Sequence, residues 1–387
     1  MRDYFMKDAA VKFLNFIDGD CVNSADGLLD GETLMLPITV KTTHGCDVYI
    51  NSVAAVETDG HGTYTATIPL SGYRNTVVAE NRTDKTESRI TLFRMPNAEK
   101  RFRISSDDNI VFLQDLTNNN YSSIFDHPYL AVYKKAHDLY GAKVHLNLFY
   151  CFDDEARAKF NNEREYFDLS MMTDRYKDEF RANSDWLKLA FHSNSEHPPR
   201  PYESDNADVI RRDCIKVCRE IIRFAGAECI SDSTTTHYGA ANLECVRALR
   251  SLGFRSLTGY FTFRSDGSPL VAYYANHELT EHVGARDFWV DTDVDMIFGR
   301  IDTVLNSGTL ESTMEEVIKA ATDPHRGGFV SVMIHEQYFY SEYRAHLADF
   351  EDRVLAPVKY LYETGYRSAH ITEATEERPL REYPAFN

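Results

Sequence analysis

The pattern of hydrophobic residues changes near residue 97, and this change constrains the fold more than any other feature of the sequence. Before it, short runs of alternating apolar and polar residues are separated by turns rich in Gly, Asn and Asp, such as Asp59-Gly60-His61-Gly62. Alternation with a period of two, without a helical pattern, is typical of an antiparallel β-sandwich. We therefore predict a small all-β, immunoglobulin-like sandwich domain over residues 1–97, with Met95-Pro96-Asn97 as the linker.

From residue 98 onward, short apolar runs alternate with longer stretches in which apolar residues recur at helical spacing. Strands that are apolar on both faces are typical of a parallel sheet covered by helices. We therefore assign the chain to the α/β class and predict that residues 98–387 form a β/α barrel, closed or incomplete. The predicted strands are 102–106, 144–150, 187–192, 227–231, 255–261, 329–334 and 367–372. The predicted helices are 128–140, 174–183, 206–225, 240–252, 312–322 and 341–364, with a capping box of Ser312 and Glu315 and an inserted hairpin at 268–274.

The acidic composition limits the class of partner. The chain of 387 residues carries 60 acidic and 42 basic residues, a formal net charge of −18. Such a charge repels phosphate, so nucleic acid and anionic membranes are disfavoured as partners, and a neutral or amino-bearing substrate is favoured. The sandwich could bind glycan, mediate oligomerisation or cover one end of the barrel, and the last of these is our preferred interpretation.

The start of the chain leads us to expect a cytoplasmic protein. Residues 1–8 lack the apolar stretch of a secretory signal, and no apolar run is long enough to cross a membrane. The 7 cysteines are odd in number and show no C-x-x-C spacing. This pattern predicts neither a disulfide framework nor a zinc knuckle.

Two adjacent carboxylates, Asp107 and Asp108, follow the predicted strand 102–106. On a strand, neighbouring side chains point to opposite faces, so both can reach one site only where the strand stops. The carboxyl ends of strands are also where α/β barrels place their chemistry. One carboxylate there could hold a metal while the other handles a proton. Taken alone, the pair is also compatible with a solvated turn.

Residues that can bind a metal or carry a proton also follow other predicted strands. Because a barrel brings its strand ends together on one rim, residues far apart in sequence can converge there. These candidates are His192, His237 with Tyr238-Gly239, Asp291 with Asp293, and His335. Their shared position favours a functional rim.

The region from about residue 100 to 375 resembles the polysaccharide deacetylase superfamily, a group of metal-dependent carbohydrate esterases that fold as a distorted, incomplete β/α barrel. Five segments resemble the motifs of that family, in the order in which the family has them: Ser106-Asp107-Asp108, His192 with His197, Tyr238-Gly239, Trp289-Val290-Asp291-Thr292-Asp293 and Val332-Met333-Ile334-His335. The fourth segment is a loose match and the fifth a good one.

The resemblance implies a role for each residue. Asp107 would be the general base and His335 the general acid. Asp108 and His192 would ligate a divalent metal, with zinc expected and nickel or cobalt as alternatives. The backbone at Tyr238 would bind the developing oxyanion. Residues expected to contact the carbohydrate substrate are Tyr238, Trp289, Asp291, Asp293 and Tyr338.

Two departures from the family pattern leave the ligand set open. His192 and His197 are five positions apart rather than four, which on a helix would rotate them by about 140° from each other. The third metal ligand is therefore either His197 or His237, which follows the next predicted strand. The family's arginine ahead of the Tyr is also missing, since Thr234-Thr235-Thr236-His237 stands there. A distant arginine or the metal itself would have to tune Asp107.

The sequence thus predicts a metal-dependent hydrolase that removes an N-acetyl or other acyl group from a carbohydrate by cleaving a C–N amide bond. Two alternatives stay open. A glycoside hydrolase could pair Asp107 or Asp108 with Asp291 or Asp293 and would need no metal. A non-catalytic glycan-binding protein could use the sandwich and keep the barrel as a relic.

Overall fold

The computed structural model of the chain describes residues 3–161, 164–204 and 206–375. Within these residues the chain is a mixed α/β protein, as its sequence predicts. None of the described helices combines the length and the apolar character that crossing a bilayer requires.

The first strands of the described chain form two sheets of five strands each. They are β1 Lys12–Phe13, β2 Cys21–Val22, β3 Leu28–Asp30, β4 Thr33–Lys41, β5 Val48–Ile50, β6 Val53–Ala54, β7 Val56–Glu57, β8 Thr63–Leu70, β9 Arg74–Asn81 and β10 Thr86–Arg94. One sheet has the order β1-β4-β8-β7 with β3 paired to β4, and the other has the order β2-β10-β9-β5-β6. Alternate side chains of β4 and β8 are buried, and apolar residues of both sheets form one hydrophobic cluster. That this region is a separate immunoglobulin-like domain stays a prediction.

The rest of the described chain alternates between strands and helices. The strands are β11 Arg101–Asn109, β12 Val144–Phe149, β13 Cys151–Phe152, β14 Phe167–Asp168, β15 Leu187–Ser193, β16 Ser233–Thr234, β17 Ser256–Gly259, β18 Thr262–Phe263, β19 Pro269–Leu270, β20 Phe288–Asp291, β21 Met296–Arg300, β22 Thr303–Val304, β23 Phe329–His335 and β24 Arg367–Ser368. The helices are α1 Val111–Asn118, α2 Pro128–Tyr140, α3 Asp154–Ala158, α4 Lys177–Ala182, α5 Ala207–Phe224, α6 Leu243–Ser251, α7 His277–Gly284, α8 Leu310–Thr322, α9 Phe350–Glu363 and α10 Ile371–Thr375.

Two sheets position the polar strand ends. The first has the order β15-β12-β11-β23-β22 with β24 on β11, and the second has the order β16-β17-β21-β20. An isolated bridge between Leu189 and Ile230 joins them on one side. On the other side, the Ile301 N–H donates to the Gly259 carbonyl at 2.7 Å, as the chain passes from β21 in one sheet to β22 in the other. The sheets are linked at both sides, but the described strands do not form one closed barrel sheet.

Strand β11 shows how the sequence separates the two faces of the first sheet. Phe102 and Ile104 join the main hydrophobic core, which also contains the buried faces of the helices. Arg103, Ser105 and Asp107 alternate with them and are buried polar residues. Because side chains alternate along a strand, these three share the opposite face. That polar face leads up to Asp107 at the carboxyl end of the strand.

Three predicted elements differ most from those of the structure. The segment 227–231 is a 3-10 turn at Ala227–Cys229, and the strand β16 begins only at Ser233. The segment 367–372 contains the two-residue strand β24 and the start of α10. The helix predicted over 341–364 begins at Phe350. In the first two cases a short apolar run is buried as predicted, but such a run does not distinguish a strand from other buried conformations.

The predicted capping box at Ser312 and Glu315 is wrong, because helix α8 begins earlier. Thr309 is the N-cap, and its side chain accepts from the Ser312 N–H at 3.2 Å. The Ser312 side chain in turn accepts from the Thr309 N–H at 3.0 Å. Sequence analysis also missed α1 and α7. A hairpin is present near the predicted one, formed by β18 and β19.

Candidate metal centre and active-site cleft

A cavity of about 360 Å³ opens at the carboxyl ends of β11, β15 and β23. Its lining includes Asp107, His192, His237 and His335. The volume lies within the range of small-ligand sites in proteins. Strand ends are the position that the sequence predicts for these side chains.

Asp107 and Asp108 both line this cavity, although they are neighbours in β11. Asp107 pairs in register with His335 of β23. At Asp108 the backbone has a φ of 62°, and the pairing of β11 with β12 shifts between Ser106 and Asn109. A left-handed residue interrupts the alternation of the strand, so two adjacent carboxylates reach the same cavity.

Asp108, His192 and His237 form a compact cluster in which one potential ligand atom from each residue lies within 4.8 Å of the others. The Asp108 Oδ1 atom is 3.0 Å from His192 Nε2 and 3.3 Å from His237 Nδ1. The two ring nitrogens are 3.2 Å apart. One carboxylate and two imidazoles are ligands that zinc and related divalent metals accept.

The outer nitrogen of each imidazole ring contacts a backbone carbonyl. His192 Nδ1 lies 2.5 Å from the Thr235 oxygen, and His237 Nε2 lies 3.1 Å from the Glu196 oxygen. Because a carbonyl oxygen only accepts, these nitrogens carry the hydrogen, and in the neutral rings the nitrogens that face Asp108 keep their lone pairs. Three electron-pair donors therefore converge, an arrangement that a cation would stabilise.

The electrostatics of the cluster favour an ionised Asp108. Burial opposes ionisation, but when the rings of His192 and His237 are protonated on the nitrogens that face Asp108, their hydrogen bonds to it outweigh burial and hold the pKa of the Asp108 carboxyl well below its usual range. Burial lowers the pKa of His237. For His192, burial is outweighed by the hydrogen bond to Asp108 and by the charge of Asp107, so the pKa of its imidazole is raised.

Amide side chains orient the two carboxylates. Asn147 Nδ2 donates to Asp107 Oδ1 at 2.6 Å, and Gln337 Nε2 donates to Asp108 Oδ2 at 2.9 Å. Thr234 Oγ1 in turn donates to Asn147 Oδ1 at 3.1 Å. Sequence analysis missed both amides. Asn147 could have been found, since it is a polar residue at an alternate position of an apolar strand, whereas Gln337 lies in a 3-10 turn with no such pattern.

His335 is held by a residue that carried no sequence signal. The Asn306 Oδ1 atom accepts from the His335 backbone N–H at 3.1 Å and lies 2.8 Å from His335 Nδ1. The other ring nitrogen, Nε2, lies 4.0 Å from Asp108 Oδ2, and the side chain is 27% exposed. His335 is thus oriented on one side and accessible from the cavity.

Glu336 connects the end of β23 to the start of α1. Its buried carboxylate accepts from the backbone N–H groups of residues 110–112 at distances between 2.6 and 2.9 Å, and from the Tyr340 hydroxyl at 2.9 Å. Burial raises the pKa of Glu336 to about 7, although these donors oppose the rise. Because α1 starts three residues after Asp108, this contact fixes the segments that carry Asp108 and His335 relative to each other.

Two of the aromatic residues predicted to contact substrate, Tyr238 and Tyr338, line the cavity. Tyr238 is 49% exposed, has a φ of 60°, and has its ring centroid 4.5 Å from that of His237. Tyr338 packs against Tyr343 with ring centroids 5.2 Å apart. Aromatic faces at a polar cleft offer apolar surface to a sugar ring.

The structure does not bring His197 into the metal-ligand cluster. Its Nδ1 lies 3.4 Å from Asp153 and its Nε2 lies 3.2 Å from Glu155. Its backbone N–H also donates to Asp153 at 3.0 Å. These contacts hold His197 in a separate depression, and His237 takes the place beside His192 and Asp108.

Trp289, Asp291 and Asp293 are not among the described residues that line the cavity. The buried Trp289 donates its indole N–H to the Asp18 carbonyl at 2.9 Å, and Asp291 accepts from the Tyr4 hydroxyl at 3.0 Å. The Asp293 N–H donates to Asp291 at 2.9 Å. Their contact with substrate stays a prediction. It is not favoured by the direction of β20, which runs antiparallel to β21 and so has its carboxyl end opposite to those of the parallel strands.

Arg103 is a buried cation on the same face of β11 as Asp107. Arg103 is 2% exposed, and its Nη1 and Nη2 atoms have no hydrogen-bond partner among the described residues. Burial lowers the pKa of the guanidinium to about 10, and the charge of Asp107 opposes this. A distant arginine is one of the substitutes that the sequence suggests for the cation missing ahead of Tyr238.

No family model and no curated protein sequence matches this chain. Comparison of structures finds a mutant of a CE4 family pseudoenzyme that is 13% identical, with 80% of this chain and 88% of that chain covered at a TM-score of 0.37. It also finds a peptidoglycan N-acetylglucosamine deacetylase that is 12% identical, with 74% and 92% covered at a TM-score of 0.37. At this level of similarity an activity does not transfer, so the functional argument rests on the geometry of the site.

Proposed function

We propose that the chain is a metal-dependent hydrolase that removes an acyl group from an amide nitrogen of a carbohydrate. The observation that carries the proposal is the convergence of ligand atoms from Asp108, His192 and His237 within 4.8 Å, with both rings oriented by backbone carbonyls. Two groups able to move a proton, Asp107 and His335, line the same cavity. Metal ligands beside a base and an acid are the parts that metal-assisted hydrolysis needs.

Asp108, His192 and His237 would hold a divalent cation, with zinc as the first choice and nickel or cobalt as alternatives. This mixed nitrogen and oxygen donor set suits those metals better than magnesium or calcium, which prefer oxygen ligands alone. When bound, such a cation acidifies a water and polarises a carbonyl group. Gln337 holds Asp108 Oδ2, so that Oδ1 faces the two histidines.

Asp107 is proposed as the general base. Its Oδ1 is occupied by Asn147 at 2.6 Å, which leaves Oδ2 to accept a proton from the attacking water. As the C–O bond forms, the carbonyl oxygen gains negative charge, and the Tyr238 backbone N–H is the proposed donor to it.

His335 is proposed as the general acid. Its Nδ1 hydrogen is directed to Asn306, so its Nε2 is the nitrogen that can carry the transferred proton. When the C–N bond breaks, this proton passes to the leaving nitrogen, and a free amine and a carboxylic acid result. Asp107 holds the proton taken from water until the products leave.

The carbohydrate is proposed to lie against the aromatic residues of the cleft. Tyr238 and Tyr338 both line the cavity, and Tyr238 exposes 49% of its surface. Sugar rings stack on such side chains through their apolar faces. The cavity of about 360 Å³ is at the lower end of the ligand-site range, which favours recognition of a small part of a glycan.

The proposal includes the architecture. We interpret the two linked sheets of residues 98–375 as a distorted, incomplete β/α barrel, supported by the bridge from Leu189 to Ile230 and by the segment that passes from β21 to β22. Residues 1–97 would be an immunoglobulin-like domain that covers one end of it. The hydrogen bonds of Trp289 to Asp18 and of Asp291 to Tyr4 support that placement.

The glycoside hydrolase alternative is not favoured by the contacts of the second carboxylate that it needs. Asp291 is fully buried and accepts from the hydroxyl groups of Tyr4 and Tyr274. A carboxylate that is engaged in this way is not available to a glycosidic bond. Neither Asp291 nor Asp293 is among the described residues that line the cavity with Asp107.

Metal analysis combined with an acyl-release assay tests the proposal. The purified protein is freed of metal by a chelator, reloaded with one equivalent of zinc, and incubated with N-acylated glucosamine oligosaccharides while released carboxylic acid and free amine are measured. We expect zinc-dependent release, with more than a hundredfold loss in the His335→Ala variant. Zinc binding without release from any acylated glycan would support a non-catalytic glycan-binding protein instead, and release that does not depend on metal would overturn the proposal.

A further inference from the structure

The face of the first sheet that leads up to Asp107 carries a second group of polar side chains, away from the metal-ligand cluster. Arg103 and Ser105 share this face of β11, because side chains alternate along a strand. Ser331 of β23 lies in register with Arg103, and His145 of β12 lies in register with Ser105. Residues in register on neighbouring parallel strands point to the same face. Arg103, Ser105, His145 and Ser331 therefore form one layer, here called the inner polar layer.

The inner polar layer is buried and its polar atoms are unsatisfied. None of its four residues is more than 3% exposed. Five side-chain atoms of the layer have no hydrogen-bond partner among the described residues, namely Arg103 Nη1 and Nη2, Ser105 Oγ, His145 Nε2 and Ser331 Oγ. Buried polar groups of folded proteins are nearly always hydrogen-bonded, so the side chains around this layer do not account for it.

Arg103 gives the layer a positive charge. Burial lowers the pKa of its guanidinium to about 10, a value at which the group is still charged at neutral pH. No described carboxylate accepts from Arg103 Nη1 or Nη2. The charge of Asp107 acts on Arg103, but the Asp107 carboxylate accepts from Asn147 at 2.6 Å. A buried cation without a counter-ion is costly, and water can accept its hydrogen bonds but cannot neutralise it.

His145 can direct an N–H into the same layer. Its Nδ1 lies 3.4 Å from the Ser231 hydroxyl oxygen, which accepts from the Ser233 N–H at 3.1 Å. That hydroxyl still has its own hydrogen to donate to Nδ1, which leaves the hydrogen of the neutral ring on Nε2. Burial, followed by the charge of Arg103, holds the pKa of His145 well below its usual range, so the ring is neutral. The layer thus combines one positive charge with neutral donors.

The layer is enclosed along the strands. On β23, Phe329 and Met333 lie two residues before and two residues after Ser331, so they share its face, and both are buried. The interiors of α/β barrels are usually filled by bulky branched side chains, whereas serine stands at positions 105 and 331. Small side chains between larger ones favour a ligand of one or a few atoms over a larger molecule.

We infer that the inner polar layer binds one small monovalent anion of the halide class, held by the Arg103 guanidinium and the hydroxyl groups of Ser105 and Ser331. His145 Nε2 is the fourth donor. One negative charge neutralises the one guanidinium, and hydrogen bonds between charged partners are stronger than those that neutral water would accept. The inference goes beyond the proposed function and does not depend on it, since neither the metal ligands nor the proposed acid and base hold the anion.

Urea unfolding at different chloride concentrations tests the site in solution. The full chain is unfolded in sodium chloride, with total sodium held constant by sodium gluconate. Above its Kd, a tenfold rise in a ligand that binds only the folded state raises the folding equilibrium constant about tenfold. We expect this dependence in the wild type and its loss in Arg103→Met, which removes the charge and the donors. Arg212→Met is the matched control, because the Arg212 side chain is 69% exposed, and it should keep the dependence of the wild type.

A second measurement needs no variant and decides the matter if Arg103→Met does not fold. Crystals of the wild-type protein are soaked in sodium bromide and measured at the bromine absorption edge. We expect an anomalous peak within hydrogen-bonding reach of Arg103 Nη1 or Nη2. Water density at this position without an anomalous peak would overturn the inference and make the layer a buried water site. A chloride dependence that survives in Arg103→Met would place the anion elsewhere and overturn the inference as well.

Discussion

His192 and His237 direct ring nitrogens at each other across 3.2 Å, although they are 45 positions apart in the chain. Both nitrogens keep a lone pair in the neutral rings, because the second nitrogen of each ring faces a backbone carbonyl. With Asp108 Oδ1 at 3.0 and 3.3 Å from them, three electron-rich atoms share one small volume. A cation at this position would therefore stabilise the folded chain as well as take part in chemistry.

Zinc should raise the thermal stability of the protein through His237 and not through His197. A ligand at a concentration of a hundred times its Kd stabilises the folded state by about 2.7 kcal/mol. We expect this gain in the wild type and in His197→Ala, and its loss in His237→Ala, measured by thermal unfolding of metal-free and zinc-loaded protein. An equal loss in the His197→Ala variant would mean that the ligand set is wrong.

The Asp107→Asn variant should separate catalysis from metal binding. An amide can still accept from Asn147 through its oxygen, but it cannot take a proton, so kcat should fall by about 10²- to 10⁴-fold. Asp108 and the two histidines are unchanged, so zinc content measured by mass spectrometry should equal that of the wild type. If zinc is lost with the activity, Asp107 belongs to the ligand set instead of acting as a base.

Gln337 should tune the affinity for the metal. Its amide donates to Asp108 Oδ2 at 2.9 Å, and removal of such an outer hydrogen bond costs about 10- to 100-fold in metal affinity. We expect Gln337→Ala to show this loss in a competition titration with a zinc chelator. Gln337→Glu, which replaces the donating amide by a second carboxylate, is compared with Gln337→Ala in the same titration. If neither variant changes the affinity, the hydrogen bond does not orient Asp108.

Asp302 should make stability depend on pH in a defined direction. Its buried carboxylate accepts from the Ser331 N–H at 2.9 Å, and burial raises the pKa of Asp302 from 3.8 to about 6, although Arg300 opposes the rise. A raised pKa means that the folded state holds this proton more tightly than the unfolded chain does. The contribution of Asp302 to the free energy of unfolding is therefore full below a pH of about 4 and is lost as the pH rises through about 6.

The Asp302→Asn variant isolates this effect, because an amide oxygen can still accept from Ser331. As the pH rises from 4 to 7, the free energy of unfolding of the wild type should fall by about 3 kcal/mol relative to that of the variant, as judged by urea unfolding. A difference that stays constant over this range would show that Asp302 titrates normally.

The sequence predicted the positions of the strand ends well and their local geometry poorly. Strands β11 and β23 could be found because their apolar residues are bounded by polar ones, and the pairing of Asp107 with His335 follows once both strands are parallel. The φ of 62° at Asp108 could not be found, because it depends on a shift in pairing with a neighbouring strand. That shift is what lets both carboxylates serve one cavity.

The position of Trp289 and Asp291 outside the cavity lining could not be predicted for a different reason. Their partners, Asp18 and Tyr4, lie more than 270 positions away in the sequence. No local pattern marks a contact of that separation. The direction of β20 was equally hidden, because alternation of apolar residues is the same in parallel and antiparallel strands.

The hydrogen bond from the Trp289 indole to the Asp18 carbonyl limits which truncated forms of this protein can be stable. A truncated polypeptide starting at residue 98 would leave a buried N–H of Trp289 without its acceptor, and Asp291 without the Tyr4 hydroxyl. Such unmet groups cost about 1–3 kcal/mol each. Recombinant production of residues 98–387 alone should therefore give a less stable polypeptide, because residues 1–97 supply partners for two buried polar groups of the remainder.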